Sequence, residues 1–202
     1  MIKIELTDDE VERCWTHAEE IVAHYAKLHG DGGSGSYGHN RVSSNVIGVK
    51  AEVGSAKWLR EQLPTTVIIE HFWDFVGGGG HHGDIEVVLG DIFHSNPLEI
   101  KAVTDEQWEN VHPRYNLPLK RMVTPGQLHA YTQSKALIVW ATTSRDRKGT
   151  TVRLRGWNTS DDLVHDGIPV KTICDNIYLE DDKQMRPMHA LPLHLNGVCP
   201  VA

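Results

Sequence analysis

The sequence predicts an α/β fold whose elements run α, α, β, β, β, α, β, β. Three observations predict it. Two long stretches carry apolar residues at helical spacing, over 8–28 and about 44–63; three short β-rich runs follow between residues 66 and 104; and a helical stretch opened by Pro125 leads into the apolar run ALIVWATT.

The first helix is announced by Thr7 followed by Asp8, Asp9 and Glu10, a capping-box start with acid where the helix dipole favours it. Val11, Trp15, Ala18, Val22 and Tyr25 recur at steps of three and four to make one apolar stripe, and Gly30 ends the pattern. Residues 30–40, GDGGSGSYGHN, are too rich in Gly, Ser and polar groups to bury much surface, and are expected to form a mobile loop. Helical spacing returns through Val46, Val49, Val53, Ala56 and Leu59 until Pro64 forbids continuation, placing Glu52 near the middle of a second helix.

The runs TVIIEHFW (66–73), DIEVVLG (84–90) and LEIKAVT (98–104) have strand character and are separated by Gly-rich or Asn-Pro turns, so they read as a meander. Pro125 suits the first turn of a helix that runs through Tyr131 to Lys135. The strands ALIVWATT and TTVRLRGW then follow, separated by a charged turn. Beyond Ser160 the sequence offers a short helix at DDLVHDG and a Pro-rich end with little pattern. No repeat and no compositional break divides the chain, so residues 1–202 are read as a single domain.

At 202 residues such a domain can bury a real core, and 40% hydrophobic with 23% charged residues excludes disordered and membrane compositions. The opening MIKIELTDDE has no apolar leader and no window approaches a bilayer span, which leads to the expectation of a soluble, cytoplasmic protein. Three scattered cysteines, Cys14, Cys174 and Cys199, support neither a disulfide framework nor a cysteine zinc site and read as reduced packing thiols. The net charge of −7 opposes a protein that coats polyanions. Clustered carboxylates around bound cations would reverse the field locally, with Lys120-Arg121 and Arg145-x-Arg147-Lys148 as basic places elsewhere.

The chemistry concentrates at Glu99-Ile100-Lys101. On a strand, Glu99 and Lys101 point to one face while Ile100 points to the other. Asp84 opens the preceding strand, and hairpin pairing would set its carboxylate beside Glu99. Carboxylates held together call for a cation, and oxygen-only ligands suit Mg²⁺ or Mn²⁺ rather than zinc.

This arrangement resembles the PD-(D/E)XK nuclease superfamily, in which an Asp is followed after a variable gap by Glu-x-Lys on consecutive strands. The resemblance covers about residues 44–143 and implies a restriction-endonuclease-like αβββαβ core: a central mixed four- to five-stranded sheet flanked by helices, with 8–28 as an N-terminal helix and 150–202 as a C-terminal extension. Gly83 stands where many members have Pro, as in the Gly-Asp form found in the RecB-like branch. Gln127-x-x-x-Tyr131 resembles that branch's Gln-x-x-x-Tyr motif, and Glu52 lies where members often place an additional acid.

The resemblance implies a Mg²⁺- or Mn²⁺-dependent deoxyribonuclease acting in phage DNA processing, repair or restriction. Asp84, Glu99, the Ile100 carbonyl and Glu52 would serve the metal, Lys101 would position or activate water, and Gln127 and Tyr131 would hold that lysine or the DNA backbone. DNA is the implied partner, and a homo-oligomer is left open. Three cysteines are too few for the iron-sulfur cluster of some relatives, and no phosphate loop for a helicase activity is present.

Competing signals are weaker. Gly77–Gly80 with His81-His82 reads as a turn rather than a phosphate cradle or a metal site, and none of the thirteen histidines forms a zinc motif. Trp140 and Trp157 read as core, and Glu86 and Asp91 are substitutes for Asp84 under a different strand register. The rival functions are a non-catalytic DNA- or protein-binding module on a nuclease-like fold, and a histidine-based metal hydrolase.

Overall fold

The computed structural model describes residues 1–29, 41–74, 83–88, 95–171 and 175–197. The segment 30–40, the run Gly77–His82, Asp91, Cys174 and Cys199 therefore lie outside the described residues.

The chain starts with β1 (Ile2–Glu5), whose I-K-I-E alternation buries Ile4. α1 (Asp8–His29) follows behind the expected box, with Thr7 Oγ1 accepting the Glu10 N–H at 3.1 Å and Glu10 accepting the Thr7 N–H at 2.7 Å. α2 (Val42–Gln62) packs on α1 through Cys14, Ala18, Val46 and Val49. Burial raises the Cys14 thiol pKa to about 12, so it is an inert packing thiol.

β2 (Val67–Glu70) is shorter than its β-rich run, because His71–Trp73 coil into a single 3₁₀ turn. β3 (Ile85–Val88) and β4 (Ser95–Thr104) complete an antiparallel meander. α3 (Asp105–Glu109), β5 (Val111–His112), β6 (Leu117–Pro118) and β7 (Met122–Val123) lead to α4 (Pro125–Ser134). β8 (Leu137–Thr143) then lies parallel to β4, and β9 (Thr151–Thr159) antiparallel to β8. α5 (Ser160–Asp166), β10 (Ile168–Lys171), β11 (Asp175–Tyr178) and α6 (Leu191–Leu195) complete the described elements.

The result is a mixed α/β architecture around a six-stranded sheet of order β1-β9-β8-β4-β3-β2, with a three-stranded sheet β10-β11-β7 and a β5-β6 pair beside it. The expected sheet of four to five strands is corrected to six, because the short amino-terminal strand pairs with β9 from Ile2↔Leu154 to Glu5↔Thr151. β9 itself lies in the stretch expected as a carboxy-terminal extension, so part of that stretch is central sheet.

Alternation sorts the strands into two packed faces. Ile85, Val87, Leu98, Ile100, Leu137, Val139 and Ala141 share a core with Ala51, Ala56, Trp58 and Leu59 of α2. Ile138 and Trp140 face the other way and pack with Tyr131, Leu163 and Leu179. Trp140 and Trp157 are both core residues, as read from their context. Asn158, whose sequence matches a glycosylation acceptor, is fully buried and accepts the Trp140 indole N–H at 2.7 Å. No described helix is long and apolar enough to cross a membrane.

Candidate active site

β4 outruns β3. The antiparallel register pairs Ile85 with Leu98, and past that point the β3-facing edge of β4 is open from Glu99 onward, while β8 continues to pair with β4 as far as Thr104. A fork opens there, and Asp84 sits in it. Its backbone N–H donates to the Leu98 carbonyl at 2.9 Å, and its carbonyl accepts the N–H groups of His71 and Phe72 at 3.0 and 3.2 Å. Its side-chain Oδ2 accepts the Ile100 N–H at 2.7 Å, in place of the next rung of the ladder.

Gly83 makes this geometry accessible. Its φ is +69°, and a Cβ there would lie 2.8 Å from the Leu98 carbonyl oxygen. Proline, locked near φ −65°, cannot take this backbone. A glycine before Asp84 thus has a local cause.

Glu99 and Lys101 align with Ile138 and Trp140 of β8 and point to the face away from α2, as the i, i+2 spacing predicts. Lys101 Nζ lies 3.4 Å from Glu99 Oε2 and 5.3 Å from the centre of the Tyr131 ring. Both charged side chains keep partial exposure, 26% for Lys101 and 18% for Glu99, so water and a ligand can reach them. Glu52 joins the same field from α2, half-buried, its Oε1 within 3.9 Å of where a Cβ on Gly48 would be.

The electrostatics follow from this crowding. Burial, reinforced by Glu99, pushes the Asp84 carboxyl up to about 6 despite Lys101 and the Ile100 N–H. Burial and then Asp84 hold Glu52 well above the ordinary carboxylate range. Burial alone would depress Lys101, but Tyr131, Asp84 and Glu99 outweigh it and keep the amine an ammonium at any working pH. Tyr131 is raised by burial and stays a neutral phenol, its ring beside the Lys101 ammonium.

The structure therefore brings Glu52, Asp84, Glu99, Lys101 and Tyr131 into one electrostatic cluster. Gln127 is not among them. It is the N3 residue of α4, exposed, with its amide oxygen accepting the Thr124 N–H at 2.9 Å and its own N–H donating to Thr124 Oγ1 at 3.2 Å. Its role in the structure is to close a capping box, and no described contact joins it to Lys101; the other expectation, that it holds the DNA backbone, does not depend on such a contact. Glu86, the substitute for Asp84, is engaged by His71 Nε2 at 3.0 Å.

The expected basic places also divide. Arg121 is buried and donates to the carbonyls of Leu179 and Glu180 at 2.8 and 2.6 Å, while Lys120 pairs with Asp182 at 3.3 Å. That pair anchors the 179–182 segment. In the turn between β8 and β9, Arg147 pairs with Glu12 and Glu19 of α1, whereas Arg145 and Lys148 are exposed.

Among the described residues, no group of three or more His, Cys, Asp or Glu side chains is gathered to hold a metal as it stands. Mg²⁺ does not demand such a cage, since it keeps several waters and binds through one or two carboxylates. Asp84 and Glu99 are the oxygen donors, the Ile100 carbonyl leaves β4 on the same edge as the N–H that Asp84 accepts, and the repulsion that raises Asp84 is what a cation would relieve. The residues fit the ion on these grounds. No family model, curated protein or solved structure matches this chain.

Proposed function

We propose that the chain is a divalent-metal-dependent deoxyribonuclease of the PD-(D/E)XK kind, hydrolysing DNA phosphodiester bonds at the fork between β3 and β4. The observation that carries this reading is the Asp84–Glu99–Lys101 cluster at the point where paired strands part, with a neutral tyrosine behind the lysine.

Asp84 and Glu99 would hold Mg²⁺ or Mn²⁺ with the Ile100 carbonyl, and Glu52 would support them directly or through water. Such an ion supplies positive charge to a phosphate oxygen and makes a water more acidic. Lys101 is a fixed ammonium, so its task is to hold the phosphate and an attacking water by hydrogen bonds and to stabilise the charge that grows on the phosphate oxygens. Tyr131 fixes the direction of that ammonium, and its burial keeps the phenol from competing as an acid. DNA is the proposed partner and a cytoplasmic setting the proposed location.

One observation favours a second reading, a non-catalytic DNA- or protein-binding module on a nuclease-like fold: no three-ligand group is gathered among the described residues. Calorimetric titration of Mn²⁺ into wild type, Asp84→Asn and Glu99→Gln, with duplex binding measured in parallel, separates the two. The nuclease reading expects saturable Mn²⁺ binding that both variants weaken by tenfold or more. Duplex binding with no Mn²⁺ uptake in the wild type would favour the binding module.

A further inference from the structure

The turn between β8 and β9, residues 144–150, is held by an unusual device. Lys50 of α2 is fully buried, and its ammonium donates to three carbonyls of the turn, those of Ser144, Asp146 and Gly149, at 3.2, 2.7 and 2.9 Å. Burying a cation is costly unless all its donors are used, and here all three are spent on ordering a surface turn. The turn is tied further from within. Ser144 Oγ accepts the Asp146 N–H at 3.0 Å, the Gly149 N–H donates to the Asp146 carbonyl at 3.0 Å, and a Cβ on Gly149 would strike the Ser144 side chain at 2.5 Å. Arg147 is pinned outside by Glu12 and Glu19 and lies over the Trp15 ring at 4.9 Å.

Two side chains of this rigid turn are left over. Arg145 and Lys148 are exposed, and among the described residues neither has a hydrogen-bond or ion-pair partner. Two cations on a well-anchored turn present fixed positive charge to a ligand at little entropic cost.

α2 links this turn to the carboxylate fork. Lys50 and Glu52 are two positions apart, so they leave the helix about 200° apart and only about 3 Å along its axis. One side of α2 grips the turn and the other faces Asp84. With a helix about 10 to 12 Å across, the cations lie within roughly 20 Å of the fork. A B-form strand advances about 3.4 Å along the axis per phosphate, so this span corresponds to at most about six phosphates.

We propose that this turn is a second nucleic-acid contact, in which Arg145 and Lys148 take backbone phosphates up to about six nucleotides from the bond that is cut. The inference rests on the nuclease reading and adds the substrate's footprint: a nucleic acid that extends well past the fork on the α2 side. Phosphate contacts of this kind position the strand without reading its sequence.

The test is binding of a fluorescein-labelled 30-base-pair duplex, followed by anisotropy from 50 to 200 mM salt in EDTA. It compares wild type, the double variant Arg145→Ala/Lys148→Ala, and Arg147→Ala. Losing two phosphate contacts is expected to make the plot of log affinity against log salt shallower by about 1.8 and to weaken binding at 50 mM by about tenfold or more. Arg147→Ala should keep the wild-type slope, and thermal melting checks that each variant is folded. A double variant with the wild-type slope and affinity overturns the turn as a contact while leaving the nuclease reading intact. A wild type that binds no duplex at 50 mM salt likewise overturns the turn as a duplex contact, whereas the nuclease reading is overturned separately, by the absence of metal-dependent cleavage.

Discussion

Asp84 accepts the backbone N–H of Ile100 at 2.7 Å, the rung that a longer β3 would have filled. A carboxylate has replaced a backbone carbonyl in the ladder, at the point where β3 and β4 part. The bond favours the charged form of Asp84, yet burial and Glu99 outweigh it and place the carboxyl near 6.

That balance sets a pH dependence. An acid whose folded pKa is raised above its ordinary value of 3.8 contributes stability below that value and loses it as pH rises through about 6. Metal-free protein should therefore gain about 1 kcal/mol from Asp84 as pH falls from 7.5 to 5. Glu52, raised in the same direction, adds to it. Thermal melts in EDTA should show a midpoint rising by about 2–4 °C over this range, with a smaller rise in Asp84→Asn. A wild type whose midpoint falls on acidification over the same range would refute the crowding.

Tyr131→Phe keeps the buried ring beside Lys101 and removes only its polar hydroxyl. The expected cost is about 1 kcal/mol of stability. Turnover should fall by about tenfold as the ammonium loses its direction, while KM for DNA changes little. Steady-state kinetics on a fixed duplex reads the split.

Gln127→Ala separates the capping box from a site role. The box predicts a loss of about 0.5–1 kcal/mol of stability with unchanged kcat/KM, and recovery of stability by Gln127→Glu, which completes the same box. A drop in activity at unchanged stability would return Gln127 to the active site.

Gly83→Ala forces a side chain into a positive-φ turn and against the Leu98 carbonyl. A loss of at least about 1–2 kcal/mol is expected, with Mn²⁺ affinity reduced because Asp84 is displaced. Denaturant melts and calorimetry measure the two separately. Full Mn²⁺ affinity in a folded Ala variant would show that the turn does not aim Asp84.

Much of this architecture was written locally. The Thr7 box, the Pro125 start and the i, i+2 spacing of Glu99 and Lys101 are short-range signals, and each matches an element observed. β1 carried its own alternating signal in Ile2-Lys3-Ile4, but four residues cannot announce which strand they will pair with. The tail was opaque for the same reason: β10 and β11 depend on each other and on Met122-Val123, about fifty residues earlier in the chain. At the site, spacing put Glu99 and Lys101 on one face of β4, and the family resemblance pointed to Tyr131, which the structure sets beside Lys101. Spacing could not reveal that Thr124 claims Gln127, although Thr124-x-x-Gln127 is itself a capping-box pattern. Nor could it show that Lys50, which reads as one more helix lysine, is buried under the β8–β9 turn.

The most direct test of the central claim is product release from linear, circular and single-stranded DNA with Mg²⁺, Mn²⁺ or EDTA, comparing wild type with Lys101→Ala. The account predicts metal-dependent cleavage of at least one substrate form, abolished by EDTA and reduced roughly 10²- to 10³-fold in the variant. Cleavage that survives EDTA, or that is equal in wild type and Lys101→Ala, would contradict it.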